Sequence, residues 1–580
     1  MKYLLQLVLL SSFLLTLGIS TAKSQGRPGP QKIDLFQQID HAYQQGNITL
    51  DQKVLYKFFP NEAKGKLPNI PDMGTEYTLK CGTPATSDFH RLKSELSAST
   101  VNRIESVFSA PSMQASETYE SPDGHFTIHY ETSGSHAVPP EDTDTDGIPD
   151  YVEEVAAAAD SSYRHEVEQL GYTDPIISNT YDIEIVNMRD IYERDFYGVT
   201  TVQNQTTFIR IENDFAEGFP PNDDPEGNQI GAIKVTVAHE FKHAVQYEAN
   251  EWQGETGSWL EMDATLMEEL VYDNVNDYYN YIDAENSIFN NPSLGFYPGS
   301  YAEITWALFF EEKFGSQFWV DVWQTIKANP FISMIDALSM QLGGADSFKR
   351  NYIESQLWHY ASGNNAPQGF GFEERAFYPT PNTSNNFTGD ISQPADTLNV
   401  LSAKYFNNAP SPFPGSIAFD LSELLDPTAG LGVLAYFKDG GVEPLILYDG
   451  QQESVFSETD WRWDEIEKLG IVAANGSYQQ QTKYALGIQS IDPQMVRVEQ
   501  NYPNPFNRQT TIRYSIPEQK EVQLEIFDVL GRKVATLVNS SQTEGIYKET
   551  FDGRSYASGI YFYRIILDGE VTTKKMTLVK

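Results

Sequence analysis

Hydrophobic and polar positions follow two different periods along the chain. Residues 125–130, 181–186 and 207–212 alternate from one position to the next, which is typical of strands with one buried face. Longer stretches keep their apolar residues on one side of a helix, and they are 33–43, 89–108, 150–170, 235–247, 301–313 and 318–328. The pattern predicts an α+β domain at 116–375, preceded by a helical segment at 25–115.

The chain changes character after residues 364–389, which are rich in Asn, Pro, Gly, Ser and Thr. We interpret this stretch as a linker. Beyond it, short strand patterns are separated by Gly and Pro turns. These patterns predict all-β sandwich modules at 395–490 and 496–580.

The N-terminus has the pattern of a secretory signal peptide. Lys2 precedes an apolar run at 3–17 and small residues at 18–22, so residues 1–24 are predicted to be removed. No later stretch has the roughly 18 consecutive apolar residues that a membrane-spanning helix needs. We expect an exported protein that passes through the periplasm and has no stable transmembrane segment when mature.

The amino-acid composition indicates which kinds of molecule the protein can bind. The chain has 81 acidic and 40 basic residues and a formal charge of −41, which disfavours nucleic acid and anionic lipid and attracts divalent cations. It has a single cysteine, Cys81, so no disulfide can form within it.

The segment 239–243 reads His-Glu-Phe-Lys-His. On a helix, positions i and i+4 share a face, so His239 and His243 can bind one metal ion. Glu240 would lie beside a water molecule at that metal and could act as general base, since zinc lowers the pKa of such a water to about 7. The alternative is a pair of histidines with a solvated or structural role.

A catalytic zinc needs a third protein ligand and an open fourth position. One class of zinc peptidases has a third histidine six residues after the second, but here that position is Ala249. The later His359 is expected to be packed in the core. A carboxylate remains as the third ligand. A second predicted helix at 259–268 offers three of them: Glu261, Asp263 and Glu268.

Residues 116–375 resemble a family of secreted bacterial metalloproteases with the zincin fold. The resemblance rests on an Asp-rich loop before a helix, a His-Glu-Phe-x-His-Ala-x-Gln run that ends at Gln246, and the helix of Glu261. That helix is similar to the glutamate helix of the gluzincins. The similarity implies that Glu261 is the third zinc ligand, with Ala264 matching the family's Ala and Met262 replacing its Gly.

The zincin fold implies two further parts of a peptidase site. One is an edge strand that binds substrate by adding it to the sheet, for which 207–212 is the candidate. The other is a side chain that stabilises the transition state, for which Tyr297 and Tyr301 are candidates. Ordinary core tyrosines are the alternative.

Residues 142–153 fit the spacing of a twelve-residue calcium loop. Its ligand positions hold Asp142, Asp144, Asp146, Asp150 and Glu153, with the backbone carbonyl of Ile148. Gly147 allows the sharp turn, while Pro149 and the non-helical residues before the loop indicate an EF-hand-like loop without its first helix. Such loops are similar to those of dockerins and thrombospondins. The alternative is an acidic turn that caps the following helix.

Cys81 lies in the segment 25–115, which we interpret as a propeptide, within a Lys-Cys-Gly-Thr-Pro run. This run resembles the cysteine switch of matrix metalloproteases, whose thiolate occupies the open zinc position. The resemblance implies that Cys81 keeps an enzyme latent, with Asp88 as a candidate for the salt bridge that clamps such a switch. The alternative is a small buried apolar residue.

The last unit contains Asn-Tyr-Pro-Asn-Pro-Phe-Asn at 501–507, Val-Leu-Gly-Arg at 529–532, Ala-Ser-Gly-Ile-Tyr at 557–561 and a basic end at 574–580. These four segments resemble, in the same order, the type A C-terminal sorting domain of the type IX secretion system. The resemblance implies secretion or attachment to the cell surface, with the secretion machinery as a partner.

Together these features predict a zinc-dependent endopeptidase that hydrolyses proteins or peptides outside the cell, with Zn²⁺ and Ca²⁺ as cofactors. One alternative is a secreted adhesin or binding protein whose zincin domain is inactive. Glu240 argues against it, because a purely structural metal site needs no base. Another alternative is an aminopeptidase, for which the sequence offers no clear group that binds a free amine.

Overall fold

The computed structural model describes residues 35–580 apart from 64–65, 68–78, 109–116, 178–179, 194, 217–218, 255–258, 285–286, 296–299, 413–414, 421–427, 449–455, 492–496, 499, 502 and 544. The predicted signal peptide, residues 1–24, lies outside the described residues. The described chain forms a mixed α+β region followed by β-sandwich modules.

The N-terminal segment is helical with one short strand. Its elements are α1 (Leu35–Gln44), α2 (Leu50–Phe58), β1 (Leu79–Cys81), α3 (Thr83–Leu92) and α4 (Ala98–Phe108), with 3-10 turns at Pro60–Ala63 and Lys93–Glu95. The stretch predicted as one amphipathic helix, 89–108, is therefore two helices separated by a turn. A capping box between Thr49 and Gln52 starts α2.

A six-stranded sheet forms the centre of the α+β region. Its further strands are β2 (Glu117–Glu120), β3 (Phe126–Tyr130), β4 (Tyr181–Val186), β5 (Phe196–Gln203) and β6 (Thr206–Glu212). The strand order is β1-β5-β6-β4-β3-β2, with β5 antiparallel to β6 and β1 parallel to β5. The N-terminal segment thus supplies the outermost strand on one side.

The prediction that residues 207–212 form an edge strand is wrong. They belong to β6, which is hydrogen-bonded to β5 on one side and to β4 on the other. Hydrophobic alternation reports that one face of a strand is buried, but it does not report the strand's place in the sheet. The strand next to the N-terminal segment is β5, and without β1 it would be the edge.

Helices cover this sheet and extend the domain. They are α5 (Asp150–Tyr163), which continues as a π-helix at Arg164–Gln169, α6 (Met188–Tyr192), α7 (Asn228–Asn250), α8 (Trp259–Val271), α9 (Tyr279–Ile282), α10 (Ile304–Phe314), α11 (Gln317–Ala328), α12 (Met334–Gln341) and α13 (Ala345–Tyr360). Short 3-10 turns occur at Tyr301–Glu303 and Gly363–Asn365. Apolar residues of the sheet and of most of these helices share one continuous core.

The next module is a two-sheet sandwich. Its strands are β7 (Asn385–Thr388), β8 (Ile391–Leu398), β9 (Ala403–Ala409), β10 (Ser416–Asp420), β11 (Ala429–Phe437), β12 (Val442–Tyr448), β13 (Phe456–Arg462), β14 (Ile466–Asn475) and β15 (Thr482–Ile491). The sheets have the orders β13-β10-β15-β8 and β12-β11-β14-β9-β7. The first strand, β7, begins ten residues before the expected start of this module at 395.

The stretch interpreted as a linker packs against the α+β region. Phe372 and Tyr378 are buried within the main core. The sandwich is also docked, because α13 lies on β11 and β14 where glycines leave room. At Gly470 an added Cβ would lie 1.9 Å from Cε1 of Tyr360. The sandwich therefore packs directly against the α+β region and is not joined to it only by a flexible linker.

The last module has its own core. Its strands are β16 (Arg497–Val498), β17 (Gln509–Ile516), β18 (Lys520–Asp528), β19 (Lys533–Gln542), β20 (Gly545–Asp552), β21 (Gly559–Leu567) and β22 (Glu570–Leu578). They pair as two sheets, β16-β17-β20 and β19-β18-β21-β22. Among the described helices of the whole chain, none has the length and apolarity needed to cross a membrane.

Candidate metal centre

The centre of the site lies on α7, a helix of 23 residues. Apolar side chains at Val237, Phe241 and Ala244 are fully buried and fix this helix against the sheet. His239 and His243 therefore lie inside the domain, each about one hundredth exposed or less. Their Nε2 atoms are 3.2 Å apart.

The next helix, α8, brings Glu261 to the two histidines. Its Oε2 atom lies 3.2 Å from Nε2 of His239, and its Oε1 atom lies 3.2 Å from Nε2 of His243. Glu261 is itself buried, 2 % exposed. Three groups that can bind zinc thus meet in a site sealed from bulk water.

Cys81 of the N-terminal segment completes the cluster. Its Sγ atom lies 3.5 Å from Nε2 of His243, and ligand atoms of Cys81, His239, His243 and Glu261 lie within 4.8 Å of one another. Bonds of zinc to nitrogen and sulfur imply tetrahedral edges of about 3.3 Å for N···N and about 3.6 Å for S···N. The two observed distances match these edges, so the donor set fits a tetrahedral zinc ion.

A second layer of side chains orients the histidines. Nδ1 of His239 lies 2.7 Å from Oε1 of Glu268, and Nδ1 of His243 lies 2.8 Å from Oε1 of Gln246. When Nδ1–H donates such a bond, the Nε2 lone pair is directed at the candidate metal position. The amide of Gln246 donates in turn to Asp263, at 2.8 Å.

These contacts place the three candidate carboxylates differently. Glu261 faces both Nε2 atoms, whereas Glu268 lies behind His239 and Asp263 lies behind Gln246. His359, expected in the core, is fully buried and contacts Thr305 and the carbonyl of Ser355.

Glu240 lies on the sheet side of α7 and is held by two hydroxyls. Its Oε2 atom accepts hydrogen bonds from Thr200 of β5, at 2.7 Å, and from Thr83 of the N-terminal segment, at 2.9 Å. Strand β5 can come this close because residue 198 is glycine: a Cβ there would lie 2.8 Å from Cγ of Glu240. The carboxylate is thus fixed next to the candidate metal ligands.

Tyr301 lies at the rim of the cluster. Its hydroxyl donates a short hydrogen bond to Oε2 of Glu261, and its ring stacks on His239 with centroids 5.9 Å apart. The side chain is half-buried, and its hydroxyl contacts the cluster. The other candidate, Tyr297, lies outside the described residues.

The charges around the cluster raise the pKa values of two of its members, His239 and Cys81. Burial lowers the pKa of His239, but the carboxylates of Glu261 and Glu268 outweigh burial and raise it to about 10. Burial and the carboxylates of Glu240 and Glu261 raise the pKa of the Cys81 thiol well above its usual range. A divalent cation among these ligands would reverse that shift, because it stabilises the thiolate.

The sequence alone did not identify Lys80 as a residue that contacts the site. Its ammonium group forms buried ion pairs with Glu268, at 2.6 Å, and with Asp277. The suggested clamp, Asp88, instead pairs with Lys53 and Lys57 of the N-terminal segment itself. The position of Lys80 directly before Cys81 was the only available signal for its role.

The acidic loop at 142–153 brings three of its aspartates together. Carboxylate oxygens of Asp142, Asp144 and Asp146 lie within 4.8 Å of one another. Gly147 has φ +98°, and its N–H donates to Oδ2 of Asp142 at 3.0 Å. Oδ1 of Asp142 is buried and accepts no hydrogen bond from the described residues, which fits a cation ligand.

Asp150 and Glu153, two further predicted ligands of this loop, are not part of that cluster of three aspartates. Asp150 accepts hydrogen bonds from the backbone N–H and the hydroxyl of Thr143, at 2.8 and 2.6 Å. Burial and repulsion from the loop's aspartates raise the pKa of Glu153. The side chain of Ile148, whose carbonyl was predicted to bind, is half-buried, and its N–H donates to Asp146.

Comparison with known proteins identifies the end of the chain. Residues 500–579 match the family of the secretion system C-terminal sorting domain. The last module is a sorting domain. The protein is therefore exported and is either secreted or attached to the cell surface, and this module interacts with the secretion machinery.

Similarities to solved structures cover only parts of the chain. PorZ, a surface component of the type-IX secretion system of Porphyromonas gingivalis, is 18 % identical over 19 % of this chain and 15 % of its own, with a TM-score of 0.12. Latent PorU from the same organism is 15 % identical over 34 % and 19 %, with a TM-score of 0.15. A β-1,2-glucanase from Parabacteroides distasonis is 9 % identical over 33 % and 37 %, with a TM-score of 0.12. No curated protein matches the sequence.

Proposed function

We propose that the protein is an exported zinc-dependent endopeptidase of the zincin type, synthesised as a latent precursor. The observation that carries the proposal is the spacing of His239, His243 and Glu261, whose ligand atoms lie 3.2 Å apart around one point, with Glu240 beside them. A site with this donor set and a glutamate base is suited to hydrolysis of a peptide bond.

The protein's own residues have distinct roles in this proposal. His239, His243 and Glu261 would hold the zinc ion, which supplies a positive charge that makes water acidic and polarises a peptide carbonyl. Glu240 takes a proton from the attacking water and transfers it to the leaving amine. The hydroxyl of Tyr301 donates to Glu261 in the precursor, and in the reaction it would donate instead to the oxygen of the substrate's carbonyl.

The precursor is latent because the N-terminal segment occupies the site. Cys81 takes the fourth ligand position, and the hydroxyl of Thr83 holds the carboxylate of Glu240. The backbone N–H of Thr83 also donates to Sγ of Cys81 at 3.2 Å, which favours the thiolate. Removal of residues 25–115 would open both the metal and the base to substrate.

The acidic loop supports the domain in this proposal by binding Ca²⁺. Its three clustered aspartates immediately precede α5, which packs against α7 through buried apolar residues such as Val155. Calcium would neutralise the repulsion among these carboxylates and hold the start of α5 in place. Its role is structural.

The test uses the full chain with a protease site inserted within 109–116, cleaved there and separated from its N-terminal segment. Casein hydrolysis is measured as isolated, after treatment with a zinc chelator, and after zinc is added back. The proposal expects activity to be lost on chelation and regained with about one zinc per chain. Mass spectrometry of the products should show cleavage of internal bonds.

Three outcomes would contradict the proposal. A protein that binds one zinc but cleaves neither casein nor a broad peptide library would be a binding protein or adhesin. A protein that binds no zinc at all would have no metal centre. Release of single N-terminal residues alone would identify an aminopeptidase.

A further inference from the structure

The side chain of Lys80 fills a buried pocket in the α+β region. Its ammonium group pairs with Oε2 of Glu268 and Oδ2 of Asp277, and the side chain is 1 % exposed. The rings of Tyr281 and Tyr197 lie 4.8 and 5.6 Å from the nitrogen, measured to their centroids. Two carboxylates and two aromatic faces are a strong set of partners for a primary ammonium group.

All the walls of this pocket belong to the region that remains after the N-terminal segment is removed. The hydroxyl of Tyr197, on β5, donates to Oδ1 of Asp277 at 3.3 Å, and Glu268 lies on α8. Among the residues that the structure describes, no other lysine or arginine forms an ion pair with Glu268 or Asp277. Lys80 is thus the one described lysine or arginine that contacts both carboxylates, while His239 contacts Glu268 alone.

Loss of Lys80 therefore leaves an anionic pocket. With Lys80 in place, Asp277 is 1 % exposed and Glu268 is 2 % exposed, and removal of the cation leaves their negative charges uncompensated. Binding of another ammonium group at the same place would relieve that cost. The empty pocket would therefore favour a positively charged side chain over a neutral or negative one.

The pocket has a fixed relation to the metal ligands. Lys80 directly precedes Cys81, whose sulfur occupies the cluster, and both belong to β1, which pairs with β5 at Leu79↔Phe196 and Cys81↔Gly198. A peptide that adds to β5 in place of β1 has one residue at the metal and a neighbouring side chain at the pocket. That side chain flanks the bond placed for cleavage.

We propose that Glu268, Asp277, Tyr197 and Tyr281 form a specificity pocket for a lysine side chain next to the scissile bond of the substrate. This inference rests on the proposed peptidase function and names its substrate class: proteins and peptides with a basic residue at the cleavage site. Lys80 acts in the precursor as a mimic of that substrate side chain. Asp277 is the specificity-determining residue, because Glu268 also orients His239.

The test compares peptides that differ only at the two positions flanking the scissile bond. Each position carries Lys, Met or Glu in turn, since Met is a neutral side chain of similar length. The cleaved, zinc-loaded full chain should show kcat/KM at least about tenfold higher for Lys than for Met at one of the two positions, because charge-assisted bonds in a buried pocket discriminate strongly. Glu at that position should be the poorest.

Two variants test whether the preference for lysine depends on the pocket. Asp277→Asn should reduce the ratio of kcat/KM for Lys over Met to below about threefold, because one of the two charges is removed. Asp273→Asn is the matched control, an exposed aspartate four residues earlier, and it should keep the wild-type ratio. Zinc content and thermal unfolding are measured for both variants.

The outcomes separate this inference from the proposed function. Efficient cleavage with equal kcat/KM for Lys and Met at both positions would overturn the pocket and leave the peptidase intact. Absence of any cleavage by the zinc-loaded protein would overturn both. The wild-type comparison needs no variant, so it decides the matter even if Asp277→Asn fails to fold.

Discussion

The hydroxyl of Thr83 donates a hydrogen bond of 2.9 Å to the carboxylate of Glu240, across 157 positions of sequence. This bond joins the N-terminal segment to the candidate base of the His-Glu-x-x-His segment. The same hydroxyl accepts a bond from the backbone N–H of Thr200 on β5, at 2.8 Å. Within a few residues, the segment therefore contacts the sheet, the candidate base and the candidate metal ligands.

Latency gives the first prediction. In the uncleaved full-length chain, Cys81→Ala should raise peptidase activity by about tenfold or more over uncleaved wild type, because the fourth zinc position becomes open. Casein hydrolysis by the two intact proteins measures the effect. After cleavage within 109–116 and removal of the N-terminal segment, the two should be equally active. An uncleaved Cys81→Ala protein as inactive as wild type would exclude Cys81 as the cause of latency.

The contact behind His239 gives the second prediction. Glu268→Gln should weaken zinc binding by about 10- to 100-fold, because the carboxylate orients the imidazole and increases its basicity. Competition with a chelator of known affinity measures the change in the cleaved protein. Glu269→Gln is the matched control, since the neighbouring side chain is not hydrogen-bonded to either histidine. Equal affinities for the two variants would count against the role of Glu268.

The pH dependence of stability gives the third prediction. Burial, together with nearby carboxylates such as Glu374, raises the pKa of Glu269 to about 10. Because the folded pKa lies above that of the unfolded chain, the associated stability is fully present below pH ~4.5 and declines as pH rises toward 10. Glu269→Gln removes this decline and should stabilise the protein on the order of a few kcal/mol at pH 8.

Thermal unfolding of wild type and Glu269→Gln at pH 5 and pH 8 measures this difference. The gain from the substitution should be larger at pH 8 than at pH 5. A gain of equal size at both pH values would show that Glu269 is ionised in the folded protein.

The acidic loop gives the fourth prediction. Saturating Ca²⁺ should raise the Tm of the cleaved protein by about 5 °C, because binding at 100 times Kd stabilises by about 2.7 kcal/mol. Asp142→Asn should abolish most of this shift, whereas Asp273→Asn, an exposed aspartate of the same region, should leave it unchanged. A calcium-independent Tm in wild type would show that the loop is an acidic turn without a cation.

The local pattern of hydrophobic residues was sufficient to predict the strand and the helix that position the site. The strand predicted at 181–186 has those bounds, and the structure extends the helix predicted at 235–247 to Asn228–Asn250. Both follow from side-chain periodicity, which depends on residues near in sequence. Placement of His239 and His243 on one helix face follows from the same rule.

Contacts between residues far apart in the chain could not be predicted from the sequence. Strand β1 has only three residues, too few for a periodic signal, yet it fixes where the N-terminal segment meets the sheet. The ion pairs of Lys80 join residues 188 and 197 positions apart, and no local pattern encodes such partners. The place of β6 inside the sheet likewise depends on strand order, which one sequence does not reveal.

The most direct test of the central claim is Glu240→Gln in the cleaved, zinc-loaded full chain. Glu248→Gln, on the exposed face of the same helix, is the matched control. We predict about one zinc per chain in both variants, with casein hydrolysis reduced about 10²- to 10⁴-fold by Glu240→Gln and unchanged by Glu248→Gln. Undiminished hydrolysis by Glu240→Gln would contradict the account.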